Sequence, residues 1–139
     1  MRRSLFLLVP LALVVACGDQ IPTSPNEATT TSLSVVFEGR LEVGGSAFYS
    51  FTVQESGSLT ATLSSVSLVG RYEALNLPLR IGVGVPRGES CTITQTAEVY
   101  PSLTRQFSAV LEPGIRCIAV TDTGLLPGAA IFSIRFVHS

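Results

Sequence analysis

Alternation of apolar and polar residues with period two is the feature that leaves this chain the fewest ways to fold. Tyr49, Phe51 and Val53 are separated by Ser50 and Thr52, and Leu59, Ala61 and Leu63 by Thr60 and Thr62. Successive side chains of an extended strand point to opposite faces, so each run has one face to bury and one to wet. The pattern returns at Leu79, Ile81, Val83 and Val85, at Phe107, Ala109 and Leu111, and at Phe132, Ile134 and Phe136. Helical periodicity is nearly absent. Turn chemistry separates the runs: Val43-Gly-Gly-Ser46, Glu55-Ser-Gly-Ser58, Pro86-Arg-Gly88, Glu112-Pro-Gly114 and Leu126-Pro-Gly128 supply the glycines and prolines that reversals need. About eight strands at this spacing predict an all-β fold, an antiparallel β-sandwich, with a closed barrel as the alternative. Residues 33–139 form one domain, large enough to bury a single core without a metal.

The start of the chain follows another logic. Arg2 and Arg3 precede a stretch from Leu5 to Val15 that is almost wholly apolar, the charged and hydrophobic regions of an export signal. Eleven helical residues cover only ~16 Å, about half of a bilayer's hydrocarbon core, so this is no ordinary membrane span. Val14-Val15-Ala16-Cys17 resembles the lipobox of bacterial lipoproteins. The resemblance implies that residues 1–16 are removed, that the Cys17 thiol takes a diacylglycerol, and that the new amine is often acylated as well, palmitate being such a chain. An ordinary signal peptide that leaves Cys17 as a free thiol is the alternative. Two or three acyl chains, at about 0.8 kcal/mol per buried methylene, hold a protein at a membrane. Gly18 stands where enteric-type sorting would use an aspartate for inner-membrane retention, so the same resemblance favours the outer membrane in a cell that has one. Residues 17–32 read as a lipid-anchored tether, because GDQIPTSPNEATTTS offers almost nothing to bury. Extended at ~3.3 Å per residue, it reaches ~50 Å from the bilayer.

With Cys17 acylated, Cys91 and Cys117 remain as an even pair in an oxidising compartment. They fall in the strands GESCTIT and PGIRCIAV, and a disulfide between them is expected to stabilise the fold by roughly 3 to 4 kcal/mol through restriction of the unfolded chain. A zinc site needs more ligands than two cysteines without nearby histidines.

Charge and side-chain chemistry narrow the function. All 9 basic residues are arginine against 10 acidic residues, and Arg2 and Arg3 leave with the signal, so the mature chain is mildly acidic. Nucleic acid, which needs a basic surface, is not an expected partner, nor is broad electrostatic docking on anionic lipid. His138 is the single histidine and reads as a solvated strand end rather than a base. Serines and threonines lie on wet strand faces with nothing to activate them. Glu38 and Glu42 read as exposed strand carboxylates, since a glycosidase pair needs a cleft and a raised pKa on one member. GVGVPRG, residues 82–88, has no helix after it and so does not cradle phosphate. No catalytic activity, cofactor or metal is predicted.

A family resemblance covers roughly residues 33–138. FEGRLEVGGSAFYSFTVQESGSLTATLSS and EPGIRCIAVTDTGLLPGAAIFSIRFVH resemble the opening and closing strands of the bacterial pre-peptidase C-terminal domain. That resemblance implies a jelly-roll-like sandwich of the kind that accompanies secreted enzymes and surface proteins, some members of which bind calcium or collagen. Where the family gathers aspartates, this chain reads ALNLPLRIGVGV, so calcium is not expected to bind.

If each strand crosses the sandwich once, the loops alternate between its two ends. SLVGRYEALN, AEVYPSLT and DTGLLPGA then share an end, which collects Arg71, Tyr72, Tyr100, Asp122 and Leu125. Tyr and Arg anchor interfaces and stack on sugars, which makes Arg71, Tyr72 and Tyr100 the candidate binding surface for an envelope protein or a glycan. The alternative is that the tyrosines cap the core. The expected function is a non-catalytic interaction module on a lipid-anchored envelope protein. The other readings are a purely structural envelope component and, more distantly, an accessory module of a secreted hydrolase system.

Overall fold

A computed structural model describes residues 31–71 and 73–139. These residues form β1 (Leu33–Leu41), β2 (Ser46–Val53), β3 (Gly57–Leu68), β4 (Leu79–Arg87), β5 (Ser90–Val99), β6 (Phe107–Leu111), β7 (Gly114–Asp122) and β8 (Ala130–His138). All pairings are antiparallel. They make two four-stranded sheets, β1-β8-β3-β6 and β2-β7-β4-β5. Every connection crosses between the sheets except the β4–β5 hairpin, which is the jelly-roll order. The sandwich, and not the barrel, is therefore the observed architecture.

Alternation explains the core. Leu59, Ala61 and Leu63 of β3 and Phe132, Ile134 and Phe136 of β8 are buried, and Ile81, Val83, Ile118 and Val120 of the second sheet are buried against them. Along the β1–β2 side the gap between sheets is closed by rings: Phe37 lies 5.7 Å from Tyr49, Tyr49 5.9 Å from Phe136, and Phe51 5.1 Å from Phe136. His138 ends this series, 4.9 Å from Phe51. Only 7% of it is exposed, and neither ring nitrogen has a hydrogen-bond partner among the described residues. The expected solvated strand end is thus corrected. His138 shares the parity of Ile134 and Phe136, which carries it to the inner face of β8, and aromatic packing holds it there.

The second sheet is unusual in that β4 is covered on both faces. Gly82 and Gly84 occupy its outer face, and β5 folds down over them: a Cβ on Gly82 would meet the Ile93 side chain at 2.8 Å, and one on Gly84 the Thr92 carbonyl oxygen at 1.8 Å. A register shift falls between Val83 and Gly84. The Cys91–Cys117 disulfide spans β4 at this place, tying β5 to β7 with a Cα–Cα distance of 6.0 Å. Strands two apart normally lie ~9.6 Å from one another, so the missing side chain at Gly84 is what lets the bridge close.

The strand registers define two ends. Leu41, Ala130 and Leu68 stand level with one another in the first sheet, and Val99, Leu79 and Asp122 in the second. Leu33, His138 and Leu59 stand at the opposite end, where the described chain enters β1.

Candidate functional site

The end far from Leu33 is formed by the loops 42–45, 69–78, 100–106 and 123–129. Its centre is Asp122, at the last position of β7 and only 7% exposed. One carboxylate oxygen accepts the N–H groups of Gly124, Leu125 and Leu126 at 3.0, 3.2 and 3.2 Å. The other accepts the Gly44 N–H at 2.8 Å, and the Asp122 N–H donates to the Gly45 carbonyl at 3.0 Å. Gly44 has φ +70°, a conformation that favours glycine and aims its N–H at the carboxylate. Burial pushes the Asp122 carboxyl up, but the four amides, Gly44 first, outweigh it and hold the pKa below the ordinary aspartate value. Leu126, 5% exposed, is carried inward by the turn that Asp122 fixes and closes this end of the core.

The other loops are tied to this centre. Val69 donates to the Ala129 carbonyl at 2.9 Å, and Thr123 Oγ1 to the Pro78 carbonyl at 3.1 Å. Loop 69–78 then folds back on β3, where Leu75 N–H bonds the Val66 carbonyl at 2.8 Å and Ala74 bridges Ser67. β6 pairs β3 only as far as Ala61, which leaves the upper edge of β3 to these loops. Ser102 N–H bonds the Leu63 carbonyl at 2.9 Å, and Gln106 binds both sides of the backbone, its N–H to the Ala61 carbonyl at 3.1 Å and its Oε1 to the Leu63 N–H at 2.7 Å. The Gln106 side-chain amide also donates to the Tyr100 carbonyl.

Arg71 and Tyr100 accordingly lie on two loops of the same end. The Arg71 backbone N–H bonds the Leu68 carbonyl at 3.1 Å and its side chain is exposed. Tyr100 follows Val99, which pairs with Leu79, and its side chain is 56% exposed, so core closure falls to Leu126 and not to this ring. Val43 and Leu125 are also exposed large apolar residues of this end. Tyr72 and Cys17 lie outside the described residues. Leu103, in the same loop as Tyr100, lies beside Thr60, Thr62 and Ser64 on the outer face of β3, where the bonds of Ser102 and Gln106 hold its loop. Among the described residues no three His, Cys, Asp or Glu side chains come together as a metal site. Asp122, expected among the exposed groups of this end, is instead buried and ties the loops together. The signal was Asp122-Thr123-Gly124, an aspartate positioned to bond the backbone just after it.

No protein-family profile matches the chain, so the resemblance to the pre-peptidase C-terminal domain rests on the strand patterns alone. No curated protein matches it either. Among solved structures, the chain is similar to that of Aeromonas hydrophila PliG, a periplasmic lysozyme inhibitor of g-type lysozyme, at 14% identity and a TM-score of 0.45, over 76% of this chain and 86% of that one.

Proposed function

We propose that this protein is an exported lipoprotein, anchored to the cell envelope through Cys17, whose sandwich recognises an envelope partner without catalysing a reaction. The observation that carries the reading is the separation of the two ends. β1 has 9 residues, about 30 Å of strand at ~3.3 Å each, and it runs from the tether side at Leu33 to the loops that hold Arg71 and Tyr100. A tether at one end leaves those loops facing away from the membrane. Tyr100 supplies an amphipathic ring and Arg71 a charge, the side-chain types that carry interface energy. Asp122 is occupied by four amides, and His138, packed on Phe51 and Phe136, lines a cleft with Thr52, Gln54 and Glu55 but makes no hydrogen bond among the described residues.

Mass spectrometry of the mature protein tests the anchor, with a lipid-modified N-terminal Cys17 expected; an unmodified chain that begins elsewhere removes it. The surface is tested by capture from native envelope with wild-type protein and with Tyr72→Ala/Tyr100→Ala. Loss of at least ~1 to 2 kcal/mol of affinity for the captured partner is expected if the rings are anchors, with no effect of a chelator. Capture that survives in the folded variant moves the assignment to a structural envelope component.

A further inference from the structure

We infer that the outer face of the first sheet carries an oxyanion site, in which Arg105 and Arg135 converge over the hydroxyls of Thr60, Thr62 and Ser64 to hold a phosphate group. A cleft of about 300 Å³ is lined by these five residues, with Leu103 and Val137 at its apolar margin. It shares loop 100–106 with the distal end but faces the outer side of the sheet, and it does not rest on the anchor.

The strand pattern builds the floor. Leu59, Ala61 and Leu63 point into the core, so Thr60 and Thr62 point out. Ser64 is the extra residue where the β3–β8 register shifts between Leu63 and Ser65, and such a bulge re-aims its side chain. Arg135 of β8 stands directly opposite Thr62, and Val137 opposite Thr60. On the other flank the bonds of Ser102 to Leu63 and of Gln106 to Ala61 hold the segment that contains Arg105 beside the same part of β3. Neighbouring strands lie ~4.8 Å apart, so the two arginine backbones are ~10 Å apart with the hydroxyl row midway. Both arginines line the cleft along this hydroxyl row, one from each flank.

Charge and donor count identify the ligand. Arg40 and Arg80 are each paired with a glutamate, whereas Arg105 and Arg135 make no ion pair among the described residues. No carboxylate lines the cleft. Glu38 shares the outer face but sits opposite Ser133 on the far side of β8, which leaves the Thr60–Thr62 end as the favourable place for an anion. The Nε of Arg135 donates to Ser34 Oγ of β1 at 3.1 Å, which leaves its charge unneutralised and its two terminal NH2 groups as the donors available to the cleft. Two guanidinium forks and three hydroxyls are more donors than the two oxygens of a carboxylate accept, and a phosphoryl group with three terminal oxygens uses them better. Leu103, 93% exposed, offers the carbon part of an ester a surface to lie on. The same chemistry serves a soluble phosphate or the headgroup of a phospholipid.

The test uses the full-length chain in neutral maltoside micelles, followed by backbone amide NMR. One arm adds inorganic phosphate, with chloride at matched ionic strength as the control; the other dopes the micelles with phosphatidylglycerol. Saturable shifts centred on Thr60, Thr62 and Ser64 are expected, weakened at least ~10-fold by Arg105→Gln or Arg135→Gln and unchanged by Arg87→Gln. Both arginines are exposed, and unchanged core resonances verify that the variants fold. Saturation by inorganic phosphate identifies a soluble phosphate as the ligand, and saturation by doped micelles alone a headgroup. Shifts that chloride reproduces, or that persist in the double Arg→Gln variant, or their absence from both arms, overturn the site.

Discussion

Asp122 shows how one side chain sets the shape of a surface without touching a ligand. Its two oxygens divide four amides between two loops, so Asp122→Ala leaves several half-buried N–H groups unbonded and should cost about 2 to 3 kcal/mol of stability. Asp122→Asn is the finer probe. Its one carbonyl oxygen can serve the amides of residues 124–126, but its NH2 then faces the Gly44 N–H, and a smaller loss of about 1 to 2 kcal/mol is expected in urea unfolding. The pH dependence has a definite sign. The folded carboxyl titrates below its ordinary 3.8, so its contribution is present above that value and disappears as pH falls through the lower, folded one. The acid limb of the stability curve should therefore be shallower in Asp122→Asn than in wild type. Gly84 tests shape alone. Its Cβ would lie 1.8 Å from a backbone oxygen, whereas that of Gly82 meets the Ile93 Cγ2 methyl at 2.8 Å, which a side-chain rotation, though a stiff one, can relieve. Gly84→Ala should cost about 3 kcal/mol or more and Gly82→Ala nearer 1 kcal/mol, read from denaturant midpoints.

Between strands, the disulfide ties β5, an edge strand, to β7 across the inner strand β4. The bridge spans 26 residues, which corresponds to about 3.5 kcal/mol of restricted unfolded chain. Cys91→Ala/Cys117→Ala should then lower Tm by roughly 10 to 20 °C, with β5 the first strand to lose amide protection. This pairing is legible in the sequence because the resemblance of Val14–Cys17 to a lipobox sets Cys17 aside and leaves an even pair, and the strands are legible because Thr60 and Thr62 or Ser50 and Thr52 alternate with residues that must be buried. Other features have no local mark. Gly82 and Gly84 look like loop glycines until β5 is seen lying over them, and the alternation that predicts β3 does not tell that β6 stops at Ala61. That shortfall leaves the upper edge of β3 to loops 69–78 and 100–106, and so brings Leu103 beside Thr60 and Thr62. His138 was misread for a related reason: its position near the end of the sequence says nothing of its parity with Phe136, which places it inside.

On the proposed reading, the two ends of the sandwich make anchoring and recognition separable tasks. Loops 42–45, 69–78 and 123–129 are laced together by hydrogen bonds, and loop 100–106 is held to β3 by Ser102 and Gln106, so the proposed surface with Arg71 and Tyr100 is ordered before binding, and little ordering entropy opposes it. The Leu33 end, some 30 Å of strand away, shares no side chain with that surface among the described residues. Perturbations far apart and without shared partners act independently. Cys17→Ser should therefore release the domain from the membrane, or leave the precursor uncut, while the affinity of the folded domain for its partner stays the same. Arg71→Ala/Tyr100→Ala should do the reverse: retention in the membrane fraction unchanged, and affinity lower by at least ~1 to 2 kcal/mol. Combining all three substitutions should give the sum of the separate effects to within about 0.5 kcal/mol, measured as membrane partition and as partner affinity on the same preparations. Coupling well beyond that margin would mean that the tether side takes part in recognition, and the partner surface would then have to be sought near Leu33 rather than among the loops.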